Sequence, residues 1–313
     1  MLPQLEPTRC ALCATEGNSR QLYPPRLSPE SFTARTFSAR RRPDRIHFRM
    51  VTCLRCGLIR SDPALPPHDL ADLYRESTMD YGPEIPNIRR TYGEYLERAF
   101  GVGQSRESLL EIGCGNGFFL EEALARGFRR VRGIEPSADA IAKANPSVRP
   151  LILCDSLRPG LLEGERFGGI CMFQVIDHLS DPAGMIALCA GLLDPEGRLL
   201  IITHDAGALS AHALGERSPI VDVEHTYLFG RRTLALLLKR HGLEVLFSGS
   251  AWNRYSLAYL LRLASPRWSA TRASNGSMGR WLARIQVRAP IGNLFMVARR
   301  PAGPAGAFAG SGR

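Results

Sequence analysis

Residues 109–137 read LLEIGCGNGFFLEEALARGFRRVRGIEPS and place an apolar run, a glycine-rich turn and a helix-like segment in succession. The apolar run predicts a buried strand, and the segment after the turn predicts a helix. Gly113, Gly115 and Gly117 stand at alternate positions, where the missing side chains let the backbone approach a bulky ligand. Phe118 stands where a GxGxxG fingerprint has its third glycine, so the turn does not match a nicotinamide dinucleotide site.

The alternation of strand and helix patterns continues toward the carboxyl end. Strands are predicted at SLLEIGCG, VRGIEPS, PLILCDSL, GGICMFQVIDHL and GRLLIITHD, with helical segments such as FFLEEALARGF, DAIAKAN and PAGMIALCAGLL between them. This order predicts right-handed crossovers and an α/β fold whose parallel sheet is covered by helices on both faces. In such sheets ligands bind beyond the carboxyl ends of the strands.

Acidic residues follow two of these strands. Glu135 ends the second strand and is placed to accept hydrogen bonds from two hydroxyls of a ribose. Asp155 ends the third strand and is placed to accept one from the exocyclic amine of an adenine. Together with the glycine turn, these strand ends predict one nucleoside site. Ordinary turns between strands and helices, where glycines and acids are common, are the alternative.

Four of the eight cysteines form two CxxC pairs near the amino terminus. Cys10 and Cys13 lie in CALC, and Cys53 and Cys56 lie in CLRCG, within a predicted strand, knuckle and returning strand. Two such pairs offer four thiolates to one tetrahedral ion, for which zinc is the natural occupant. Reduced thiols without a metal and a redox CxxC are the alternatives. Four protein ligands would close the site, which argues against catalysis by this metal.

The net charge of +10 is unevenly distributed along the 313 residues. Residues 206–313 carry 15 basic and 4 acidic side chains, and residues 1–60 carry 11 and 4, whereas residues 101–205 are acidic, with 10 and 14. A solvated basic surface is the simple interpretation, and a surface that follows nucleic-acid phosphates is the alternative. We find neither a secretory signal nor an apolar stretch long enough to cross a membrane, which predicts a cytoplasmic protein.

The chain resembles class I S-adenosylmethionine-dependent methyltransferases in several ordered motifs. These are LLEIGCGNGFFL, GIEPS, LCDSL, FGGICMFQVIDHLSDP and LLDPEGRLLIITHD. The segments CALC, VTCLRCGLIRSDP, ADLYRES, VEHTYLFGRRTLALLLKRHGLEV and YSLAYLLRL resemble a subgroup with an amino-terminal zinc module, often associated with modification of sugars, glycans or secondary metabolites. Two departures from that pattern are Asp177, where many relatives have Glu, and THD at 203–205, where TPN is common.

The resemblance implies a Rossmann-like sheet of seven strands, completed by GLEVLFSGS and an antiparallel last strand, NLFMVARR. It also assigns the cofactor pocket to residues that follow the strands: Glu111, Gly113, Gly115 and Gly117 on the methionine side, Glu135 at the ribose, Asp155 and Ser156 at the adenine, and Gln174 with Val175 on the outer wall. The implied cofactors are S-adenosylmethionine and a structural Zn²⁺.

The predicted domain organisation follows from the same motifs. Residues 1–67 form a zinc-binding module resembling a zinc ribbon, 68–107 a helical connector or lid, and 108–300 the methyltransferase domain, with a disordered tail at 301–313. Tyr81 lies in the lid-like segment and is expected either to close over the cofactor or simply to pack.

An insertion at 251–289 separates the last two predicted strands. Trp252, Tyr255, Leu260 and Trp281 give it an apolar and aromatic character. Three roles are consistent with this composition: a cap on the acceptor pocket, a peripheral contact with a membrane surface, or helical packing onto the domain.

Methyl transfer from a sulfonium is an in-line displacement, so the protein mainly positions the acceptor and excludes water. A hydroxyl acceptor gains from a general base, and a carbon acceptor needs its proton removed first. His178, after the fourth strand, and His225, in DVEHTYLF, are the predicted bases, with His204 as a further candidate. A structural hydrogen bond is the alternative role of each.

The sequence therefore predicts an enzyme that methylates a hydroxyl or a carbon of a small molecule, sugar or glycan. An RNA methyltransferase that holds RNA with its basic zinc module, including the arginines at 40–42, is the first alternative. The absence of an NPPY-like element in QVIDH and of a lysine and aromatic pattern argues against nucleic acid. A non-catalytic protein that binds S-adenosylmethionine is the second alternative.

Overall fold

The computed structural model describes residues 4–27, 36–37, 46–78, 84–264 and 276–302. The strands in these ranges are β1 (Ser19–Tyr23), β2 (Met50–Cys53), β3 (Ile59–Ser61), β4 (Ser108–Ile112), β5 (Arg130–Ile134), β6 (Ile152–Leu153), β7 (Phe167–Phe173), β8 (Leu193–His204), β9 (Tyr227–Leu228), β10 (Glu244–Ser250), β11 (Asn253–Ser256), β12 (Gln286–Ala289) and β13 (Asn293–Arg299). The helices are α1 (Pro67–Arg75), α2 (Ile85–Ala99), α3 (Phe118–Ala125), α4 (Ala138–Ala142), α5 (Pro182–Leu192), α6 (Leu209–Leu214), α7 (Arg231–Arg240), α8 (Leu257–Ala264) and α9 (Ser277–Arg284).

Seven strands form the large sheet in the order β10-β13-β8-β7-β4-β5-β6. Strands β4 to β8 pair in parallel, and β13 pairs antiparallel with both β8 and β10. This arrangement confirms the predicted α/β fold, its seven strands and its antiparallel last strand. The chain moves outward from β4 to β6 and then returns to β7, so the strand order reverses between β4 and β7, where a ligand crevice forms in such sheets.

Alternate residues of the central strands pack on opposite faces of the large sheet. Leu110 points into a core that contains Ile186 of α5 and Leu237 of α7. Its neighbour Leu109 points into a second core, with Phe119 of α3 and residues of α2. Because both faces are covered by helices, the strands consist of nearly continuous apolar residues, as the sequence pattern indicates.

Helix α2 belongs to the layer that covers the large sheet. The ring of Tyr92 stacks on Phe173, at the end of β7, with 4.1 Å between ring centroids. Tyr95 and Phe100 lie in the same core as Phe119. The predicted connector at 68–107 therefore contributes a packed helix to the sheet, although the domain boundaries themselves stay a prediction.

The amino-terminal strands form an antiparallel sheet in the order β1-β2-β3-β9, and β9 comes from the carboxyl half of the chain. Ile59 of β3 pairs with Leu228 of β9. Leu12 and Leu58 belong to the same buried cluster as Phe229. The strand, knuckle and returning strand predicted around CLRCG are present, and they are joined to the large domain by backbone pairing and a shared core.

The insertion forms an antiparallel ribbon of β11 and β12, with α8 and α9 between the two strands. Its start packs against α2, because the amide of Trp252 donates to Tyr95 Oη at 2.7 Å and that of Arg254 donates to Thr91 Oγ1 at 2.9 Å. Tyr255 is buried, whereas the side chains of Trp252 and Trp281 are exposed.

Some predicted features lie outside the described residues. These are the lid residue Tyr81, the arginines at 40–42, most of the predicted disordered tail, and the middle of the insertion at 265–275. Among the helices that are described, none has the length and apolar character required to cross a membrane.

Candidate functional site

A cavity of about 1070 Å³ lies beyond the carboxyl ends of β4, β5 and β7. This volume is at the upper end of the range of small-molecule sites, about 300–1,000 Å³. Helices α1 and α2 and the ribbon strand β11 complete its wall, with Tyr74, Tyr92 and Tyr255 among the lining residues. The position matches the crevice expected from the strand order.

Charged residues of the cavity wall are mostly acidic. The described lining contains five carboxylates, of Glu135, Asp155, Asp181, Asp222 and Glu224. It contains two guanidinium groups, and both are paired: Arg158 with Asp155 at 3.1 Å, and Arg254 with Glu94 at 2.5 Å. An acidic wall repels a phosphate backbone, so this cavity does not favour RNA.

The glycine turn brings β4 close to the start of α3. Gly113 lines the cavity and has φ +71°, and a Cβ built there would lie 2.5 Å from Cγ2 of Val175. Gly117 precedes α3 with φ +72°, and its Cβ would lie 3.1 Å from Cδ1 of Ile152. Neither Gly115 nor Gly117 belongs to the described cavity lining, so these two glycines shape the turn without facing the cavity.

Glu135 ties the end of β5 to the glycine turn. Its Oε2 accepts a hydrogen bond from the amide of Gly115 at 2.8 Å, and its Oε1 accepts one from the amide of Ser137 at 2.9 Å. Burial raises the pKa of Glu135 above its ordinary value, and the two amides oppose this shift. The carboxyl group also lines the cavity, as the prediction of a ribose acceptor requires.

The remaining predicted wall residues lie around the same cavity. Asp155 Oδ1 accepts from the amide of Ser156 at 2.7 Å. Gln174 follows β7 with φ +55°, and its buried Oε1 has no hydrogen-bond partner among the described residues. Together with Val175, these residues line the cavity. The structure thus brings them together, while their roles toward a cofactor stay predictions.

Glu111 lies within β4, behind the cavity wall, and is not part of the described lining. It is almost completely buried, and its Oε2 has no hydrogen-bond partner among the described residues. Burial, followed by the charge of Glu135, raises the pKa of Glu111 well above its ordinary value. The raised pKa favours the protonated form of this buried group.

Three histidines surround Asp177 at one end of the cavity. Asp177 Oδ2 lies 2.5 Å from Nδ1 of His204 and 3.9 Å from Nε2 of His225, and its Oδ1 lies 3.8 Å from Nε2 of His178. All three histidines line the cavity. The two predicted bases are thus brought together, and the carboxylate between them was not predicted as a site residue. The signal was present, because Asp177 and His204 are the two departures from the family pattern.

Hydrogen bonds fix the orientation of the two buried imidazoles. Tyr74 Oη lies 2.9 Å from Nδ1 of His178 and donates to the carbonyl oxygen of Glu224 at 3.3 Å. The Nδ1–H of His225 donates to the carbonyl oxygen of Ile220 at 2.8 Å. In both rings Nδ1 is therefore occupied, and Nε2 is the nitrogen nearest Asp177.

Burial sets the charge states in this cluster. It lowers the pKa of His178 to about 3 against the attraction of Asp177. Burial and then the charge of His204 also lower the pKa of His225. Burial acts to raise the pKa of Asp177, but the surrounding histidines, with His204 donating a hydrogen bond, hold it below its ordinary value. Burial therefore favours the neutral form of His178 and shifts His225 in the same direction.

The four predicted zinc ligands converge at the base of the amino-terminal sheet. The Sγ atoms of Cys10, Cys13, Cys53 and Cys56 all lie within 4.8 Å of one another, with Cys10 and Cys56 3.4 Å apart. Burial acts to raise the pKa of Cys53, but the amides of Cys56 and Arg55 lower it to about 7. The spacing fits a tetrahedral ion, whose thiolates are about 3.8 Å apart for a Zn–S distance of about 2.3 Å.

Comparisons with known proteins agree with this architecture. A sequence model of the family described as a methyltransferase domain matches residues 86–247, more than half of the chain. Ubiquinone biosynthesis O-methyltransferase of Coxiella burnetii is 33% identical over 115 residues, which are 35% of this chain and 48% of that protein. The protein of the same name in Rhodopseudomonas palustris is 33% identical over 99 residues, 30% of this chain and 39% of that protein.

The chain therefore spans about half the length of the first of these relatives, and less of the second.

Among solved structures, the chain is similar to one from the complex between the Haloferax volcanii Trm112 methyltransferase activator and a methyltransferase. The TM-score is 0.50 at 15% identity, with 70% of this chain and 92% of that chain covered. At this identity the likeness supports the fold alone.

Proposed function

The chain belongs to the methyltransferase domain family, and from this premise we propose that it transfers the methyl group of S-adenosylmethionine to a small-molecule acceptor. One observation carries the proposal: a single cavity is lined both by six of the nine predicted cofactor residues and by three histidines. Cofactor and acceptor would then meet inside one enclosure, which positions the reacting atoms and excludes water.

The residues present fit the cofactor. Glu135 would hold the ribose, since its carboxylate is fixed by two backbone amides and faces the cavity. Asp155 would receive the adenine amine, and Gly113 leaves room beside Val175 for the methionine part. The unpartnered Oε1 of Gln174 supplies a further polar contact. When bound, S-adenosylmethionine supplies an electrophilic methyl group.

The cavity wall defines the class of acceptor. Aromatic rings of Tyr74, Tyr92 and Tyr255 combine with apolar side chains, while the charged residues are mostly carboxylates. Such a wall suits an acceptor that is uncharged and partly apolar and carries a hydroxyl group. The relatives are named for O-methylation in ubiquinone biosynthesis, which is consistent with a hydroxyl acceptor. A sugar or secondary metabolite is consistent with the subgroup resemblance.

His178 and His225 act on the acceptor in this proposal. Both residues line the cavity, and Nδ1 of each ring is occupied by Tyr74 or Ile220, so Nε2 is the nitrogen that can take the acceptor's proton. If they serve the chemical step, His178→Gln and His225→Gln lower kcat while leaving the affinity for S-adenosylmethionine unchanged. Loss of cofactor affinity in both variants would instead show a structural role.

We further propose that Cys10, Cys13, Cys53 and Cys56 hold one structural zinc ion. The support is the clustering of four Sγ atoms and the two turns that present them. In the first turn the amide of Ala14 donates to the carbonyl of Cys10 at 2.8 Å, and in the second that of Gly57 donates to Cys53 at 2.9 Å. Such a closed site stabilises the fold and leaves catalysis to the cavity.

Calorimetry tests the cofactor assignment. The protein is expected to bind S-adenosylmethionine but not nicotinamide dinucleotides. Glu135→Ala removes a carboxylate that accepts two amide hydrogen bonds, so the affinity for S-adenosylmethionine is expected to fall about tenfold or more. Glu163→Ala, at an exposed position outside the cavity lining, is the matched control and should bind as the wild type does.

Unchanged affinity in Glu135→Ala would remove the support for the ribose assignment. Methyl transfer to a panel of phenolic, sugar and nucleic-acid acceptors, followed by mass spectrometry, then tests the acceptor class. Transfer to RNA alone would contradict the proposed small-molecule acceptor, and binding without transfer to any acceptor would favour a non-catalytic protein.

A further inference from the structure

The cluster around Asp177 places three ligand-type atoms close together beside the cavity. One ring nitrogen of His178, one of His225 and one carboxylate oxygen of Asp177 all lie within 4.8 Å of one another. The two nitrogen-to-oxygen distances are 3.8 Å and 3.9 Å, too long for hydrogen bonds. These atoms face one another without a direct interaction that joins them.

The Nδ1 side of each imidazole is already occupied. Tyr74 Oη lies 2.9 Å from Nδ1 of His178, and Nδ1–H of His225 donates to the carbonyl oxygen of Ile220, so Nε2 of each ring is the nitrogen nearest Asp177. Oδ1 of Asp177 is buried and has no hydrogen-bond partner among the described residues. A buried carboxylate oxygen without a partner is costly unless a cation satisfies it.

Each candidate ligand also has a hydrogen-bonding contact on the side away from the proposed ion. Metal-binding histidines commonly donate their second N–H to a carbonyl or a similar group, and ligating carboxylates are themselves hydrogen-bonded. Here Tyr74 holds His178, the carbonyl of Ile220 holds His225, and Nδ1 of His204 holds Oδ2 of Asp177 at 2.5 Å. The supporting contacts of a metal site are therefore complete, although they come from distant parts of the chain.

We propose that Asp177, His178 and His225 bind one divalent transition-metal ion at the acceptor end of the cavity. Two histidines and one carboxylate suit Zn²⁺, Mn²⁺ or Fe²⁺ and leave coordination positions open. A tetrahedral ion with metal–ligand distances of about 2.0–2.2 Å holds its ligand atoms about 3.3–3.6 Å apart. The distances of 3.8 Å and 3.9 Å therefore need only a small contraction when the ion binds.

This inference rests on the proposed methyl transfer and specifies how the two histidines act on the acceptor. A hydroxyl group that occupies an open position of the ion loses its proton more readily, and the proton leaves to water. The acceptor oxygen then forms a bond to the methyl carbon, while the carbon–sulfur bond breaks and its electron pair stays on sulfur. The substrate class is therefore a hydroxyl-bearing acceptor. In this arrangement His178 and His225 hold the ion, and activation of the hydroxyl by the ion replaces direct proton transfer to either histidine.

Binding of Mn²⁺ tests the site without relying on activity. The protein is prepared with Zn²⁺ in its cysteine cluster and titrated with Mn²⁺ while free Mn²⁺ is followed by electron paramagnetic resonance. Mn²⁺ stands below Zn²⁺ in affinity for such ligands and prefers oxygen ligands to thiolates, so it leaves the cysteine cluster loaded. The wild type is expected to bind one Mn²⁺ per chain, and a wild type that binds none would overturn the proposal.

Variants locate the ion. Removing a supporting contact of a metal site typically costs about 10–100-fold in affinity. Tyr74→Phe should lower the affinity for Mn²⁺ by about that factor, and Asp177→Asn by at least about 100-fold. His212→Gln, at an exposed position of α6 outside the cavity lining, is the matched histidine control and should bind Mn²⁺ as the wild type does. If Tyr74→Phe and Asp177→Asn both bind Mn²⁺ with the affinity of the wild type, the assignment of the ion to this cluster is overturned.

Circular dichroism and the affinity for S-adenosylmethionine report whether each variant is folded. If Asp177→Asn does not fold, the Mn²⁺ affinity of Tyr74→Phe tests the site, because this variant retains the aromatic ring and removes only one hydroxyl group. Binding of S-adenosylmethionine without binding of Mn²⁺ would refute the metal site and leave the proposed function standing. Binding of Mn²⁺ without S-adenosylmethionine would refute the proposed function and leave the metal site standing.

Discussion

Gly113 illustrates how one residue links the sheet to the cavity. Its φ of +71° lies in the region that favours glycine, and the space that a side chain would fill is already taken by Val175. Two separate costs thus oppose any other residue at this position, one from the backbone and one from packing.

Gly113→Ala is expected to lower the free energy of unfolding by about 2–5 kcal/mol. Backbone strain contributes about 1–2 kcal/mol, and overpacking contributes about 1–3 kcal/mol. Gly164→Ala is the matched control, because its φ is +80° but a Cβ there meets nothing within 4 Å, so only the backbone cost applies. Chemical denaturation measures both variants.

Val175→Ala in the Gly113→Ala background should recover part of the packing cost, because it removes the methyl group that lies 2.5 Å from the added Cβ. Equal stability losses in Gly113→Ala and Gly164→Ala would contradict the close approach to Val175.

Glu111 provides a pH dependence of stability. Its folded-state pKa is raised by burial and by Glu135, so the folded protein favours the protonated form. The stability that this raised pKa contributes is fully present below the ordinary glutamate pKa of 4.5, and it is lost as the pH rises through the raised pKa. Glu111→Gln remains uncharged, so the variant should gain stability relative to the wild type as the pH increases.

Denaturation midpoints measured from about pH 5 to pH 9, where buried glutamates are known to titrate, check this expectation. Glu107→Gln, at an exposed position just before the same strand, serves as the control and should show no such trend. A constant difference between Glu111→Gln and the wild type across this range would show that Glu111 does not titrate there.

At the scale of elements, the β3–β9 pairing connects the cysteine cluster to the candidate site. The amide of Ser61 donates to the carbonyl of Thr226 at 2.8 Å, and its hydroxyl donates to the carbonyl of His225 at 3.1 Å. Cys53 ends β2, the neighbour of β3. The amino-terminal sheet therefore supports the backbone that carries one of the site histidines.

Cys53→Ser is expected to release the zinc and to destabilise this sheet, because a closed zinc site contributes directly to folding. Metal analysis should show one zinc per chain in the wild type and none bound tightly in the variant. Hydrogen exchange at 225–228 should accelerate, since these residues depend on β3. Cys154→Ser, at an exposed cysteine outside the cluster, is the control. A wild type that lacks zinc under reducing conditions would refute the structural zinc.

At the scale of the whole molecule, charge is separated between the cavity and the rest of the chain. The net charge is +10, yet the charged residues in the described cavity lining are mostly carboxylates. Basic residues are concentrated at the two ends of the sequence, in residues 1–60 and 206–313. In the proposed function, the cavity selects the acceptor, and the basic residues elsewhere in the chain govern its general association with anions.

RNA is accordingly expected to bind weakly and with a steep dependence on salt. Fluorescence anisotropy with a labelled RNA should show affinity falling about 10³-fold or more between about 50 mM and 200 mM salt if several arginines contact phosphates. Tight binding that distinguishes RNA structures at physiological salt would contradict the small-molecule acceptor and favour the RNA alternative.

The sequence by itself determined the fold, because the patterns that specify it are local. Apolar runs that alternate with helical patterns predicted the strands, and the glycine run at 113–117 predicted the turn between β4 and α3. Since parallel strands present their carboxyl ends at one edge, Glu135 and Asp155 could also be expected to meet. The spacing of the CxxC pairs likewise predicted that four thiols would cluster around one point.

Only the tertiary structure decided which distant residues share a site. Asp177, His204 and His225 come from three separate segments, and Tyr74 comes from a helix that precedes the sheet. No local pattern states that Asp177 lies between the histidines, or that β9 joins the amino-terminal sheet. Such contacts depend on how side chains far apart in sequence pack and exclude water, which is a property of the folded chain as a whole.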